Sequence, residues 1–226
     1  VRDGYSQRVR ITQADGSVRY ESSNSSLRSA ADLVDDQFAV LSALRRTLAL
    51  DPDSSAVLAD LTSAPALHSR IVLEDGGRFT TTLVSALVQP DAVRLVRQST
   101  PGLDLVFEPA LPTLLISLPV GAQDISTGSV TLLPLNNSLP YTSTLTLVAR
   151  ESVATPAGHF DNCLKVSLQL RAGRASLGRS ITWYCPDAGG VRREDYDSND
   201  VLQSTAEAVV ISSAAGVLGQ PDDSAP

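Results

Sequence analysis

The side chains of this chain that could do acid–base chemistry are two histidines and a scatter of carboxylates. His68 lies just before a predicted strand and His159 lies in a predicted turn, and either could serve as a general base. An isolated histidine more often has a structural or surface role. Acids in loops are usually solvated, so we expect no catalytic pair among the carboxylates Asp35, Asp36, Glu74, Asp75, Asp187, Glu194, Asp195 and Asp197.

The sequence lacks the common motifs of catalytic and metal sites. It contains no Gly-x-Ser-x-Gly, no phosphate-binding glycine loop and no His-Glu-x-x-His. The stretch Asp51-Pro52-Asp53 lacks the ligand set and the glycine of a calcium-binding loop. Two cysteines and two distant histidines do not make a metal site. We therefore expect a protein that is not an enzyme, with no catalytic residue, cofactor or metal.

The two cysteines, Cys163 and Cys185, lie at the far ends of a predicted hairpin centred near Arg174. Pairing of positions whose numbers sum to 348 places the cysteines opposite each other and suits a disulfide. The same register sets the alternating apolar residues Leu164, Val166 and Leu168 opposite Tyr184, Thr182 and Ser180. A shift of one residue would instead match that apolar face to Trp183 and Ile181. A β-bulge near Asn162 or Pro186 would reconcile the two registers, and the choice stays open here.

The elements before residue 70 are predicted to be a hairpin followed by helices. Strands at 5–12 and 17–22 flank an Asp-Gly turn. Ser29 and Asp32 resemble a capping box. An apolar stripe with helical spacing follows at Val34, Phe38, Leu41, Leu44 and Leu48. A second short helix is predicted to end at Leu61. These helices are expected to cover one face or the mouth of a sheet.

From residue 70 the pattern changes to strand-length runs separated by turn residues, which predicts an antiparallel meander. The fold class is therefore mainly β, in the α+β sense, with one domain over 1–213 that includes a helical insertion at about 29–62. The small, acidic residues 214–226 are predicted to be a disordered tail. The predicted strands are 70–74, 78–88, 92–98, 103–108, 114–118, 129–133, 141–152, 162–170, 178–185, 191–195 and 201–212.

Composition limits the partners and the compartment. The formal net charge is −7, so nucleic acid is not expected as a partner. There is no apolar run near 18 residues, so no transmembrane segment is expected. The chain has no methionine and starts at Val1, as it would after removal of an export leader. The expected location is therefore the cell envelope or the extracellular space, with a lipid anchor through the removed leader as one option.

Two motifs carry a resemblance to a known family. Thr155-Pro-Ala-Gly-x-Phe-x-x-Cys-Leu-Lys-Val166 and Trp183-Tyr-x-Pro-x-x-Gly-x-Val-Arg-x-Glu194 resemble bacterial exported TapB-like proteins of unknown function. With Leu118-Pro-Val-Gly121, the resemblance covers about a third of the chain. Cys185 and Asp187 depart from the family pattern, which favours a disulfide particular to this protein. The resemblance implies a cell-envelope protein with a strongly curved antiparallel sheet, similar in outline to half-barrel lipoprotein carriers, and it brings no catalytic residues. Together with the helical stripe described above, the predicted fold is a curved sheet or half-barrel with the N-terminal helix packed on one face.

Three function hypotheses follow from the sequence. The first is an envelope protein that binds an apolar small molecule or lipid in the concavity of the sheet, beneath the helix. The second is a structural or interaction module with a filled core that contacts an envelope protein partner. The third, ranked last, is a hydrolase that uses carboxylates in loops. The residues expected to line the concavity in the first hypothesis are Val34, Phe38, Leu41, Leu164, Val166 and Leu168.

Overall fold

The structure is a computed structural model that describes residues 4–33, 38–48, 63–213 and 216–218. Within these ranges the chain forms thirteen strands, a 3-10 turn at Ala30–Leu33 and one helix, α1 (Phe38–Thr47). The strands are β1 (Tyr5–Gln13), β2 (Val18–Ser29), β3 (Pro65–Asp75), β4 (Arg78–Val88), β5 (Ala92–Thr100), β6 (Leu103–Leu115), β7 (Gln123–Leu133), β8 (Asn137–Thr155), β9 (Gly158–Ala172), β10 (Ala175–Cys185), β11 (Gly189–Tyr196), β12 (Leu202–Ser213) and β13 (Gly216–Leu218).

The strands form a closed antiparallel barrel, so the predicted half-barrel with a helix on its face is wrong. Each strand pairs with its neighbour in sequence, and β1 also pairs with β12. The closing register runs from Ser6 opposite Ser212 to Gln13 opposite Ser204, with a bulge after Arg8. Twelve strands therefore make the wall, and β13 pairs with the end of β12. The sequence suggested β1 only as half of a local hairpin, because pairing between strands that lie so far apart leaves no local signal.

The helix α1 packs on the outer face of the barrel. Leu67 and Ala86 are paired across β3 and β4 and line the interior. Their neighbours Ala66 and Leu87 are also paired and point to the opposite face, because successive residues of a strand alternate. That outer face packs against the helix in one buried cluster, which contains Ala30, Val40, Ala43, Leu44, Ala66, Leu87, Val96, Val106 and Ala110. The helix therefore covers small and aliphatic residues outside the wall, and the expectation that it lies over a concavity is corrected.

Polar contacts hold α1 against β6. Glu108, on the same outer face, accepts a 2.8 Å hydrogen bond from Ser42 and forms a 2.9 Å ion pair with Arg46. The Thr47 hydroxyl donates to the carbonyl of Ala43 and accepts a 2.7 Å hydrogen bond from the N–H of Ala110. The bond to Thr47 thus gives an acceptor to the buried N–H of Ala110, against which the helix packs.

The barrel interior is packed with apolar side chains in one half. Two clusters fill that half, and they share Leu95, Leu114, Leu164 and Tyr184 with the wall of the remaining cavity. Tyr141 belongs to the first cluster, where its hydroxyl donates a 2.7 Å hydrogen bond to the carbonyl of Pro109. The buried members are Phe107, Leu111, Val130 and Tyr141 in one cluster and Leu145, Leu147, Leu164 and Val166 in the other. The filled half therefore forms one boundary of the cavity in the open half, which is described below.

Most predicted strands are present, although their bounds are longer. The predicted strand at 114–118 is not separate, because β6 extends to Leu115 and a loop follows. The Ser29 and Asp32 pair does form half of a capping box, with the Ser29 N–H donating to the Asp32 carboxylate at 3.3 Å. The second short helix, through Leu61, lies outside the described residues, as does the predicted tail except Gly216–Leu218. In the described ranges no helix is long and apolar enough to cross a membrane.

Candidate functional site

The open half of the barrel contains a cavity of about 670 Å³. Its apolar wall comes mainly from β3 to β6 and β9, because the inward positions of these strands are aliphatic. Volumes of roughly 300–1,000 Å³ are typical of small-molecule pockets. The apolar wall contains Leu67, Ile71, Val84, Ala86, Val93, Leu95, Leu114 and Leu164.

The opposite wall, from β1, β2, β10 and β11, is polar and carries a charged side chain inside the barrel. Arg193 points into the cavity, where its Nε donates a 3.0 Å hydrogen bond to Asp195. The Ser204 hydroxyl donates to the same carboxylate oxygen at 3.1 Å. Burial by itself would lower the pKa of Arg193, but the charges of Asp195 and Glu21 outweigh it and raise that pKa above its ordinary value. The guanidinium is therefore a permanent cation that is bonded to Asp195 and also feels the charge of Glu21.

The cavity has room for solvent beside this cation. The side chain of Arg193 is 41% exposed although it points into the barrel, so its accessible surface faces the cavity. On β10 the neighbouring inward side chains are Thr182 and Tyr184. Burial raises the pKa of Tyr184, which keeps the phenol neutral and able to donate a hydrogen bond. The polar wall thus offers a cation, a carboxylate at Glu21 and hydroxyl groups.

Side chains of β1 close the space beside the β10–β11 turn. The Tyr5 hydroxyl donates a short hydrogen bond to the carbonyl of Ala188, and the Gln7 side chain donates to the carbonyl of Gly190 at 2.9 Å. Burial raises the pKa of Tyr5 to about 12. These bonds tie the first strand to the turn that follows β10.

The mouth of the cavity lies where its lining residues are exposed. Ile116, Arg150, Asn162, Pro186 and Asp187 all line the cavity and are exposed. A disulfide between Cys163 and Cys185 cross-links β9 to β10 at this rim, with a Cα–Cα distance of 4.1 Å. The predicted disulfide is thus present, and it fixes two strands that border the opening.

The hairpin register is the one in which paired numbers sum to 348. Tyr184 is opposite Leu164, Thr182 is opposite Val166, and no bulge interrupts β9 and β10 between these pairs. The leucine face of β9 therefore shares the barrel interior with a threonine and a tyrosine. Within this pair a bulge lies between Ser176 and Arg179, and in the pairing of β10 with β11 one follows Trp183. A bulge near Asn162 does occur, but on the other side of β9, where the register with β8 shifts between the pairs Glu151–Cys163 and Val153–Phe160.

Trp183 is buried on the outer face of β10. Its indole N–H donates a 2.6 Å hydrogen bond to Glu151, and the cations of Lys165 and Arg192 lie 4.8 and 5.0 Å from a ring centroid. These partners come from β8, β9 and β11. The Trp183 side chain thus links β10 to β8, β9 and β11.

The structure brings together few of the predicted lining residues. Leu164 lines the cavity, whereas Val166 and Leu168 pack in the filled half. Leu41 packs in the outer cluster with α1. Val34 and the side chain of Phe38 lie outside the described residues.

The predicted acid–base residues are dispersed. His68 lies on the outer face opposite Ser85, and His159 forms an exposed 3.2 Å ion pair with Asp161. Asp187 lies at the mouth, and Asp195 points inward toward Arg193. Asp35 and Asp36 lie outside the described residues. The remaining predicted carboxylates are engaged elsewhere: Glu74 and Asp75 with arginines of β1 and β2, Glu194 with Arg192 and Tyr196, and Asp197 with its own turn.

The cavity is also lined by Glu21, Arg193 and Tyr184, which were not predicted from the sequence. A signal was present, since Glu21, Ser23 and Ser25 alternate along β2 on the same face. Without the barrel register, however, alternating polar residues are interpreted as a solvent-facing side. This polar face of β2 lines the interior only because the pairing of β1 with β12 closes the barrel.

Comparisons with known proteins agree with this fold. The DUF3108-like family model matches residues 144–207, which include both motifs of the TapB-like resemblance but do not establish that finer family. A structure described as a "putative lipoprotein" from Parabacteroides distasonis ATCC 8503 has a TM-score of 0.58 at 18% identity, covering 92% of this chain and 95% of that chain.

A second similar structure is described as a "putative exported protein" with a YmcC-like fold, from Bacteroides fragilis NCTC 9343. It has a TM-score of 0.54 at 15% identity and covers 93% of this chain and 96% of that chain. No curated protein matches this chain. At these identities the two likenesses establish a shared fold.

Proposed function

We propose that this is an exported cell-envelope protein, not an enzyme, that binds an amphiphilic ligand of the lipid class inside its barrel. The observation that carries the proposal is the cavity of about 670 Å³ between an aliphatic wall and a polar wall. An apolar chain would lie against β3 to β6, and a polar group of the ligand would face Arg193, Glu21 and Tyr184. The TapB-like resemblance, and the descriptions of the two similar structures as lipoprotein and exported protein, support the envelope location.

The two walls favour an amphiphile over a purely apolar ligand. An apolar ligand that filled the cavity would take water away from Arg193 and Glu21 without replacing its hydrogen bonds, which is costly. A ligand with a polar end can replace those bonds while its chain covers the aliphatic wall. Because Asp195 and Glu21 already offset the charge of Arg193, the polar end need not be anionic.

Titration with a fluorescent dye tests whether the cavity binds apolar molecules. The dye is N-phenyl-1-naphthylamine, which is uncharged and fluoresces more strongly in apolar surroundings. Val84→Trp fills the cavity from its apolar wall, and Leu83→Trp is the matched control, since Leu83 is the adjacent residue on the exposed outer face. We expect Val84→Trp to weaken dye binding about tenfold or more, a loss of at least about 1.4 kcal/mol, and Leu83→Trp to leave it unchanged.

A second matched pair guards against misfolding of one variant. Ile71→Trp also fills the cavity, and Arg70→Trp changes the adjacent outward residue. Equal dye binding by the wild type and by both cavity-filling variants would contradict the proposal. Such a result would favour the interaction module with a filled core.

A further inference from the structure

The loop between β6 and β7 runs along the edge of β8 beside the cavity mouth. The Gly121 N–H donates a 2.7 Å hydrogen bond to the carbonyl of Leu147, and Arg150 donates to the carbonyl of Ile116 at 3.3 Å. The loop thus continues along β8 beyond Thr146, where the pairing with β7 ends. Ile116 and Arg150 also line the cavity, so this loop borders its opening.

Three exposed apolar side chains lie on this loop and on the adjacent bulge of β8, next to the cavity mouth. Ile116, Val120 and Val148 are 45%, 56% and 40% exposed. The segment Ile116–Gly121 carries no charged residue. Val148 is the extra residue of a bulge between Leu147 and Ala149, and bulges commonly redirect a side chain at a barrel rim. We call the loop Ile116–Gly121 together with Val148 the apolar lip.

We propose that the apolar lip contacts a lipid surface and that the ligand passes over it between that surface and the cavity. This inference rests on the proposed function. Ile116 belongs to both the lip and the cavity wall, so an apolar chain could enter without crossing water. The net charge of −7 disfavours attraction to anionic headgroups, so the contact is apolar and the surface zwitterionic.

Flotation with phosphatidylcholine vesicles tests the lip directly. The double variant Val120→Ser/Val148→Ser removes two lip side chains that do not line the cavity. The matched control is Phe79→Ser/Leu135→Ser. It removes two apolar side chains away from the lip that are even more exposed, at 68% and 71%. We expect the lip variant to bind vesicles about tenfold more weakly than the wild type, the control to bind normally, and salt to have little effect.

Dye binding in solution separates this inference from the proposed function. The lip variant should bind N-phenyl-1-naphthylamine as the wild type does, because the cavity is unchanged. Vesicle binding that is equal in the wild type and the lip variant, or absent in both, would overturn the proposal that the apolar lip contacts lipid. A wild-type dimer that the lip variant converts to monomer in sedimentation also overturns it, since the lip would then be a contact between copies. Normal flotation without dye binding would instead contradict the cavity.

Discussion

At the scale of single residues, Gly128 shows how tightly the filled half of the barrel is packed. A Cβ atom at this position would lie 2.5 Å from the carbonyl oxygen of Glu108 and 2.7 Å from the ring of Tyr141. Both neighbours are fixed, because one is backbone and the other is a buried ring that hydrogen-bonds Pro109. Glycine is therefore required for space at Gly128.

Gly128→Ala should lower the free energy of unfolding by about 3 kcal/mol, the upper end for overpacking. The comparison is Gly102→Ala, where a Cβ meets nothing within 4 Å and the φ of +85° is the source of strain. That control should cost only about 1 kcal/mol. Chemical denaturation measures both, and equal losses would show that the contact at Gly128 is not close.

Buried tyrosines make stability depend on alkaline pH. Burial raises the pKa of Tyr141 to about 12, whereas the unfolded chain ionises near its ordinary value of 10. Above pH 10 the unfolded state loses protons that the folded state keeps, so the stability present below pH 10 is lost as pH rises toward 12.

Tyr141→Phe should therefore flatten the decline in unfolding free energy between pH 10 and 12 by about 1–2 kcal/mol. Denaturant titrations at several pH values measure the slope. Tyr20→Phe is the control, because Tyr20 lies on the outer face against Arg8. A slope identical in the wild type and Tyr141→Phe would show that the phenol is not shielded from water.

At the scale of elements, the Thr47 hydroxyl is one of the contacts that attach α1 to β6. Thr47→Val keeps the shape of the side chain but removes the acceptor of the Ala110 N–H. Ala110 is itself buried, so water cannot replace that acceptor. We expect a loss of about 1–3 kcal/mol, the cost of an unsatisfied buried group. Thr47→Ser keeps the acceptor and should cost less. Thermal unfolding compares the two, and equal stability of Thr47→Val and the wild type would contradict this account of the helix.

The strands could be predicted from the sequence because apolar and polar residues alternate along each strand, and this local pattern shows which face is buried. Leu164, Val166 and Leu168 alternate with polar residues, and this predicted β9 together with its buried side. The position of α1 could not be predicted in the same way. Its apolar stripe needs an apolar partner, and the partner is formed by outward residues of β3 to β6, such as Ala66 and Leu87, which the sequence does not distinguish from inward ones.

At the scale of the whole molecule, the seam between β1 and β12 determines whether the barrel encloses a cavity. The hydroxyls of Ser6 and Ser212 are 2.5 Å apart across this seam, 206 residues apart in sequence. In an open half-barrel these residues would lie at opposite edges. The closure, and with it the inward direction of Glu21 and Ser23, therefore could not be inferred from local patterns.

Ser6→Cys/Ser212→Cys should form a disulfide spontaneously under mild oxidation, in addition to the one between Cys163 and Cys185. The control Ser6→Cys/Leu202→Cys places the second cysteine at the far end of β12 and should not cross-link. Peptide mapping under non-reducing conditions identifies the bonds. Absence of the Ser6–Ser212 cross-link in a folded protein would contradict closure.

Native mass spectrometry tests most directly whether the enclosed cavity holds a single amphiphile. The protein is incubated with lysophosphatidylcholine, freed from excess lipid, and compared with Val84→Trp and Leu83→Trp treated in the same way. We predict one bound lipid on the wild type and on Leu83→Trp, and none on Val84→Trp, because only that variant fills the cavity. A wild type that carries no lipid, or a Val84→Trp variant that carries as much as the wild type, would contradict the account.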